Sequence, residues 1–402
     1  MPTLDPAALL ADLVRLPSVN PMGRPAPNES PYFEGRVTDY LETLLRGVGL
    51  QTERSLVHPG RDNLLARLPA TRDSADRSLI LLEVHQDTVP VEGMTIDPFG
   101  ARVKGGRLYG RGACDVKGGM AAMLAALAAL LDAPDRPHDV VIAFTINEEF
   151  GFTGATRLVE AWSSGECALL PRAPDAIIVA EPTNLNVVVA HKGVVRWRCS
   201  TLGVAGHSSQ PARARNAIYT MARVLRELEG VAARLAEAPP HPLLGPPSLS
   251  VGTIAGGVSV NTVPDHCIIE IDRRLLPGES PEGAYQTAIE AVAAGLLPDD
   301  RLEHAPPFVI SRGLSTARNG ALGEQLGRIA RRQGEGFGAA IGVPFGTDAA
   351  PYDAAGAPVV VFGPGDIAQA HTADEWIELK QLAQAAEILR QFCLEFQRAP
   401  RS

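Results

Sequence analysis

The sequence predicts an α/β protein, a helix-covered sheet interrupted by a smaller inserted α+β domain. Three observations predict it. Apolar runs alternate with helical stretches through the first half, a β-α-β-β-α-β order fills the middle, and strand–helix alternation returns near the end. At 402 residues the chain is too long for one compact core and fits two domains.

Taken in order, "MPTLDPAALLADLVRLPSVNP" carries acids early and reads as an amphipathic helix, not a secretion signal. "SLILLEVH" (78–85), "VVIAFTI" (140–146) and "DAIIVAE" (175–181) read as strands, with a helix over 117–133 between the first two. Residues 140–144 have the composition of a strand buried on both faces, and the order suggests a largely parallel sheet. Near residue 193 the pattern changes. "VVRWRCSTLGVAG", a helix over 214–237, "SLSVGTIAGG", "HCIIEIDRRL", a helix over 281–296 and the strand "RLEHAPPFVI" give the order of a ferredoxin-like sandwich. The Pro-rich stretch 238–247 is a loop inside this unit. Beyond about residue 310 come a helix, a Gly-rich loop, the strand "APVVVFG" and a final helix from 378, a return to the first domain. The expected division is therefore 1–192 and 309–402 for the first domain and 193–308 for the insert.

The formal net charge of -9 argues against nucleic acid or an anionic membrane surface as the main partner. No uninterrupted apolar stretch reaches the length of a membrane span. Five scattered cysteines without CxxC spacing read as reduced thiols of a cytoplasmic protein.

Ligands of open α/β sheets gather at the carboxyl ends of strands. Here those ends carry "EVHQD", "RGACDVKGG", "INEEFG", "AEPT" and "GPGDIAQAHTADE", offering His85, Asp115, Glu148 with Glu149, Glu181 and His371. Two histidines with carboxylates suit zinc or a similar divalent ion. Any one of them alone is an ordinary loop acid or core histidine; the succession is the signal. His85 and Asp87 are two apart, so Asp87 is expected to accept the second ring N–H of His85 and orient it. Glu148 and Glu149 are adjacent and expected to leave opposite faces, one as ligand and the other as general base. Asp115, just before a helix, could bridge two ions.

With these residues stand "HQDTVP" (85–90), "LYGRGACDVKGGMA" (108–121), "GHSSQP" (206–211), "NTVPD" (261–265), "RRLLPGE" (273–279) and "GTDAA" (346–350). Together they resemble the dinuclear zinc amidohydrolases and peptidases that include acetylornithine deacetylase, succinyl-diaminopimelate desuccinylase, glutamate-releasing carboxypeptidase and aminoacylase. The resemblance implies a zinc-peptidase-like, doubly wound mixed sheet and an inserted ferredoxin-like lid through which two chains dimerise. It implies two Zn2+, or Co2+, per subunit. His85, Asp115 and Glu181 would hold one ion, and Asp115, Glu149 and His371 the other. Glu148 would be the general base, Asp87 the orienting carboxylate, and Asp115–Val116 a cis peptide. His207 of the lid would polarise the scissile carbonyl in the neighbouring subunit, joined by Asn261. Arg274 would grip a substrate carboxylate, while Gly346 and Thr347 would line the substrate.

Departures are few. Ala214 replaces a glycine of the "HSSxPxxGxNA" pattern, and Cys114 precedes the bridging aspartate as a buried bystander. His191-Lys192-Gly193-Val194 stands where desuccinylases carry Arg-Arg-Gly-Ser, which lowers the succinyl reading. The implied reaction is metal-dependent hydrolysis of an N-acyl amino acid, acetylornithine deacetylase-like. The alternatives are a dipeptidase, carboxypeptidase or desuccinylase on the same centre. A non-catalytic homologue that binds amino-acid derivatives is disfavoured by intact Glu148 and a full ligand set.

Overall fold

The computed structural model describes residues 4–26, 29–72 and 77–398. The chain forms two units, the first taking the chain up to Val189, Ser315–Ile341 and the chain from Thr347 onwards, the second Ala190–Leu314 with Gly342–Gly346. The limits 193–308 expected for the insert fall inside the second unit, which the segment Gly342–Gly346 joins.

An eight-stranded sheet runs in the order Gln51–His58, Arg61–Leu68, Asp139–Thr145, Leu79–His85, Ala176–Val179, Val359–Val361, Val187–His191 and Ala340–Val343. Parallel pairing joins Asp139–Thr145, Leu79–His85, Ala176–Val179 and Val359–Val361, and all four are buried throughout. This explains their largely apolar composition. The largely parallel expectation holds for these central strands. Gln51–His58, Arg61–Leu68 and Val187–His191 pair antiparallel, so the sheet is mixed.

The hairpin Gln51–His58/Arg61–Leu68 was not legible in the sequence, because its outer strand carries polar residues on both faces and shows no clean period of two. Helix Lys117–Leu131 is apolar nearly all round, and it packs against helices Pro6–Val14 and Leu379–Glu395. Gly118 and Gly119 let its first turn approach closely. A Cβ at Gly118 would lie 2.6 Å from Ala113 O, and one at Gly119 2.9 Å from Ala180 Cβ.

The second unit is an antiparallel sheet in the order Ser248–Gly256, His266–Leu275, Gly193–Leu202, Arg301–His304. That is the second–third–first–fourth order of a split β-α-β sandwich. Helices Ala217–Ala236 and Pro281–Ala294 cover one face, burying Trp197, Met221, Val224, Ile269, Ile271 and Val292. The last strand is broken where one was expected over 301–310. Arg301–His304 and Val309–Ser311 both pair with Gly193–Leu202, but Pro306 and Pro307 between them have no N–H to give the ladder. Among the described residues, no helix is long and apolar enough to cross a membrane.

Candidate metal centre

The central parallel strands end at one edge of the sheet, in a register that pairs His85 with Thr145 and Glu83 with Val179. Residues at or just past these ends therefore converge: His85, then Glu148 and Glu149, then Glu181. Asp115 enters from the loop before Lys117–Leu131, with the expected cis peptide to Val116. His371 arrives on the long loop after Val359–Val361, with a left-handed backbone at φ 61°.

Asp115 faces two imidazoles. Its Oδ1 lies 3.3 Å from His85 Nε2 and its Oδ2 3.3 Å from His371 Nε2. His371 Nε2 is also 3.4 Å from Glu149 Oε2, and His85 Nε2 is 4.0 Å from Glu181 Oε1. The ligand atoms of His85, Asp115 and Glu149 lie within 4.8 Å of one another, as do those of His85, Glu148 and Glu181.

Two orientations differ from expectation. His85 Nδ1 meets the main-chain carbonyl of Asp87 at 3.0 Å, while the Asp87 carboxylate stands 3.6 Å away. A carbonyl can only accept, so Nδ1 carries a proton and Nε2 is the nitrogen left facing the cluster. The Asp87 carboxylate instead accepts the main-chain N–H groups of Glu148 and Glu149, both at 3.2 Å. Glu148 and Glu149 do not leave opposite faces; both reach toward His85. The cause is common to both. The strands end at His85 and Thr145, so the two-residue alternation lapses where these side chains begin.

The site is rich in negative charge, and its carboxylates are buried while the His371 side chain is half exposed. Burial and the neighbouring Glu181 push Glu148 well above the usual carboxylate range, and burial with Asp115 pushes Glu149 up to about 7. Glu181 is raised by burial and Asp115 as well. Burial would also raise Asp115, but the imidazoles of His371 and His85, each 3.3 Å from it, hold it low. Hydrogen bonds to Asp115 and Glu149 hold His371 up to about 10. Without a cation the cluster gathers protons, which is what a dication would displace. His85 Nε2 and Glu149 Oε1 are buried without a hydrogen-bond partner. Hard oxygens and imidazole nitrogens at this spacing fit a divalent ion such as zinc. Cys114 takes no part: its thiol is buried against Asp366 O at 3.3 Å, and burial pushes it well above its ordinary range.

Sequence reasoning missed the support behind Asp87. Asn20 donates Nδ2 to Asp87 Oδ2 at 2.8 Å and to Asn147 Oδ1 at 3.0 Å. Arg61, held by Glu34 through Nε at 2.9 Å, touches the same Asn147 oxygen at 3.4 Å. The only signal was the asparagine in "PSVNP", a residue type common in any loop.

The remaining candidates divide between the units. Thr347 belongs to the first, buried at the start of helix Ala349–Ala354 with its hydroxyl accepting Ala349 N–H at 3.2 Å. His207, Asn261, Arg274 and Gly346 belong to the second. His207 is exposed on a two-residue strand opposite Thr262, and Ser208 donates its N–H to Asn261 O at 3.0 Å, so His207 and Asn261 are neighbours. Arg274 is engaged by Asp272, through Nε at 2.7 Å and Nη2 at 3.1 Å.

The model of peptidase family M20/M25/M40 matches residues 81–395. The chain belongs to this family. It is accordingly a hydrolase of amide bonds. This M20 chain is 33% identical over 364 residues to the acetylornithine deacetylase of Myxococcus xanthus, covering 89% of this chain and 91% of that protein. Its fold is shared with an M20 family metallo-carboxypeptidase from Sulfolobus solfataricus, with a TM-score of 0.75 at 18% identity over 97% of this chain and 98% of the other. Human carnosine dipeptidase 1 gives a TM-score of 0.71 at 16% identity, covering 97% and 96%.

Proposed function

We propose that this M20 hydrolase deacylates an N-acyl amino acid, releasing a carboxylate and a free amine, with an N-acetylated substrate of the acetylornithine kind as first choice. The likeness in sequence to an acetylornithine deacetylase favours that class over dipeptides. The observation that carries the reading is Asp115 set between His85 and His371, with Glu149, Glu181 and Glu148 around them. His85, Asp115 and Glu181 would hold one divalent ion, and Asp115, Glu149 and His371 a second, zinc or cobalt. Bound there, the ions supply Lewis-acid polarisation of the amide carbonyl and make a water more acidic.

The chain's own residues do the rest. Glu148 takes a proton from the attacking water as the C–O bond forms and returns it to the leaving nitrogen as the C–N bond then breaks. Its buried setting beside Glu181 raises its affinity for that proton. Asp87 holds the main chain of both glutamates. His207 donates a hydrogen bond to the developing oxyanion, with Asn261 beside it. Arg274, steadied by Asp272, keeps Nη1 for the substrate carboxylate, and Gly346 and Thr347 line the substrate.

The second unit acts as lid and dimerisation domain in this reading. Strand Ser248–Gly256 is the sheet's edge, and Tyr219, Ile254, Val258 (92% exposed) and Val260 (100% exposed) leave an apolar surface beside it. A second copy pairing there would cover both edges and bring His207 to the partner's centre. The five cysteines are all free and buried, which suits the reducing cytoplasm. The test is the purified protein, loaded with zinc or cobalt, against N-acetyl and N-succinyl amino acids and dipeptides. N-acetyl amino acids should be cut fastest; absence of any amide hydrolysis overturns the reading.

A further inference from the structure

Glu375 is fully buried, and nothing in the hydrolytic reaction above uses it. Its carboxylate is nevertheless saturated with donors from a single stretch of chain. Oε1 accepts the main-chain N–H of Cys114 at 2.8 Å and of Asp115 at 3.0 Å. Oε2 accepts the N–H of Gly112 at 3.1 Å and Arg111 Nη1 at 2.7 Å. The Glu375 main-chain carbonyl takes Gly110 N–H at 3.0 Å, and the strand Trp376–Glu378 that follows pairs with Arg107–Tyr109. The whole segment before Asp115 is thus strapped to the segment that follows His371.

This placement closes a ring. His371 touches the Asp115 carboxylate, and Glu375, four positions later, grips the Asp115 main chain across 260 residues of sequence. A carboxylate is the side chain suited to the place, because every group facing it is a donor. A glutamine would turn an N–H2 toward either two main-chain N–H groups or the Gly112 N–H and Arg111, leaving donors facing donors without acceptors.

We propose that Glu375 is a positioning residue, fixing Asp115 and the His371 loop relative to each other so that their ligand atoms meet one divalent ion. The proposal rests on the metal reading above. A buried carboxylate could instead serve only to neutralise Arg111 and stabilise the fold, and the two roles part in metal affinity.

The experiment compares wild type, Glu375→Gln, Glu375→Asp and Arg111→Gln as full chains. Cobalt affinity is read by competition with a chromophoric chelator, the cobalt visible spectrum reports ligand geometry, and thermal midpoints are taken without metal. Glu375→Gln should weaken one of two cobalt ions by roughly 10–100-fold and alter the spectrum. Arg111→Gln, which leaves the main-chain donors satisfied, should stay within about threefold of wild type while lowering the midpoint. Glu375→Asp keeps the charge beside Arg111 and so decides the case where the glutamine variant does not fold. Its shorter arm cannot span the Gly112 and Asp115 amides, so it should show the same weakening. Unchanged cobalt affinity in the folded Glu375 variants, or equal weakening in Arg111→Gln, overturns the positioning role. A wild-type protein that binds no cobalt overturns the metal reading itself.

Discussion

Ser209 donates its main-chain N–H to His207 Nδ1 at 3.2 Å. The Ser209 hydroxyl lies 2.7 Å from the same nitrogen, and with Nδ1 accepting from both, the ring proton is assigned to Nε2. An exposed histidine is thereby preset as a donor, the form that can stabilise an oxyanion without first being protonated.

The first prediction follows from that donor. His207→Ala should lower kcat by about a hundredfold or more, the usual cost of losing one oxyanion donor. Should the donor act in the partner's site, mixing His207→Ala with Glu148→Gln chains after subunit exchange restores part of the activity. One site per heterodimer would then have both groups intact. Proven heterodimers without recovered activity would place His207 in its own chain's site, or outside the reaction.

Metal content provides the second. The protein should carry about two divalent ions per chain, lose activity on chelation, and regain it with zinc or cobalt. Elemental analysis of a chelator-treated sample is decisive, since full activity without metal is incompatible with the proposed chemistry.

Glu148 and Glu149 should separate by substitution, although both lie close to His85 in the structure. Glu148→Gln should retain metal while kcat falls about a hundredfold to ten-thousandfold, because the isostere cannot carry the proton. Glu149→Gln should release one ion more readily as well. Equal metal loss in the two variants would show that Glu148 is a ligand rather than the base.

A fourth prediction concerns stability of the second unit. Hydrogen bonds from Arg223, with others from Leu297 N–H and the Thr220 hydroxyl, hold the Asp300 carboxyl down at about 2, and its side chain is 4% exposed. A folded value below the unfolded one means stability fully present above about pH 4 and lost as pH falls towards 2. Asp300→Asn should cost about 1–2 kcal/mol at pH 7, after allowing for solvent around Arg223, and the gap should close near pH 2. Denaturant unfolding at both pH values measures it; a gap independent of pH would exclude the ion pair as its source.

The sequence by itself determined the order of elements and which residues could meet. Short apolar runs marked the central strands, because a strand covered on both faces tolerates such composition. Since parallel strands end at one edge, His85, Glu148, Glu149, Glu181 and, from its flanking loop, His371 could be read as one group before any coordinates. The tertiary structure alone decided orientation. Asp87 turned from the His85 ring to the Glu148 and Glu149 amides because both strands stop before those side chains begin. The roles of Asn20 and Glu375 were invisible for a related reason. Their work is to accept or donate hydrogen bonds across 67 and 260 residues of chain, and no local pattern records a partner that only folding brings near.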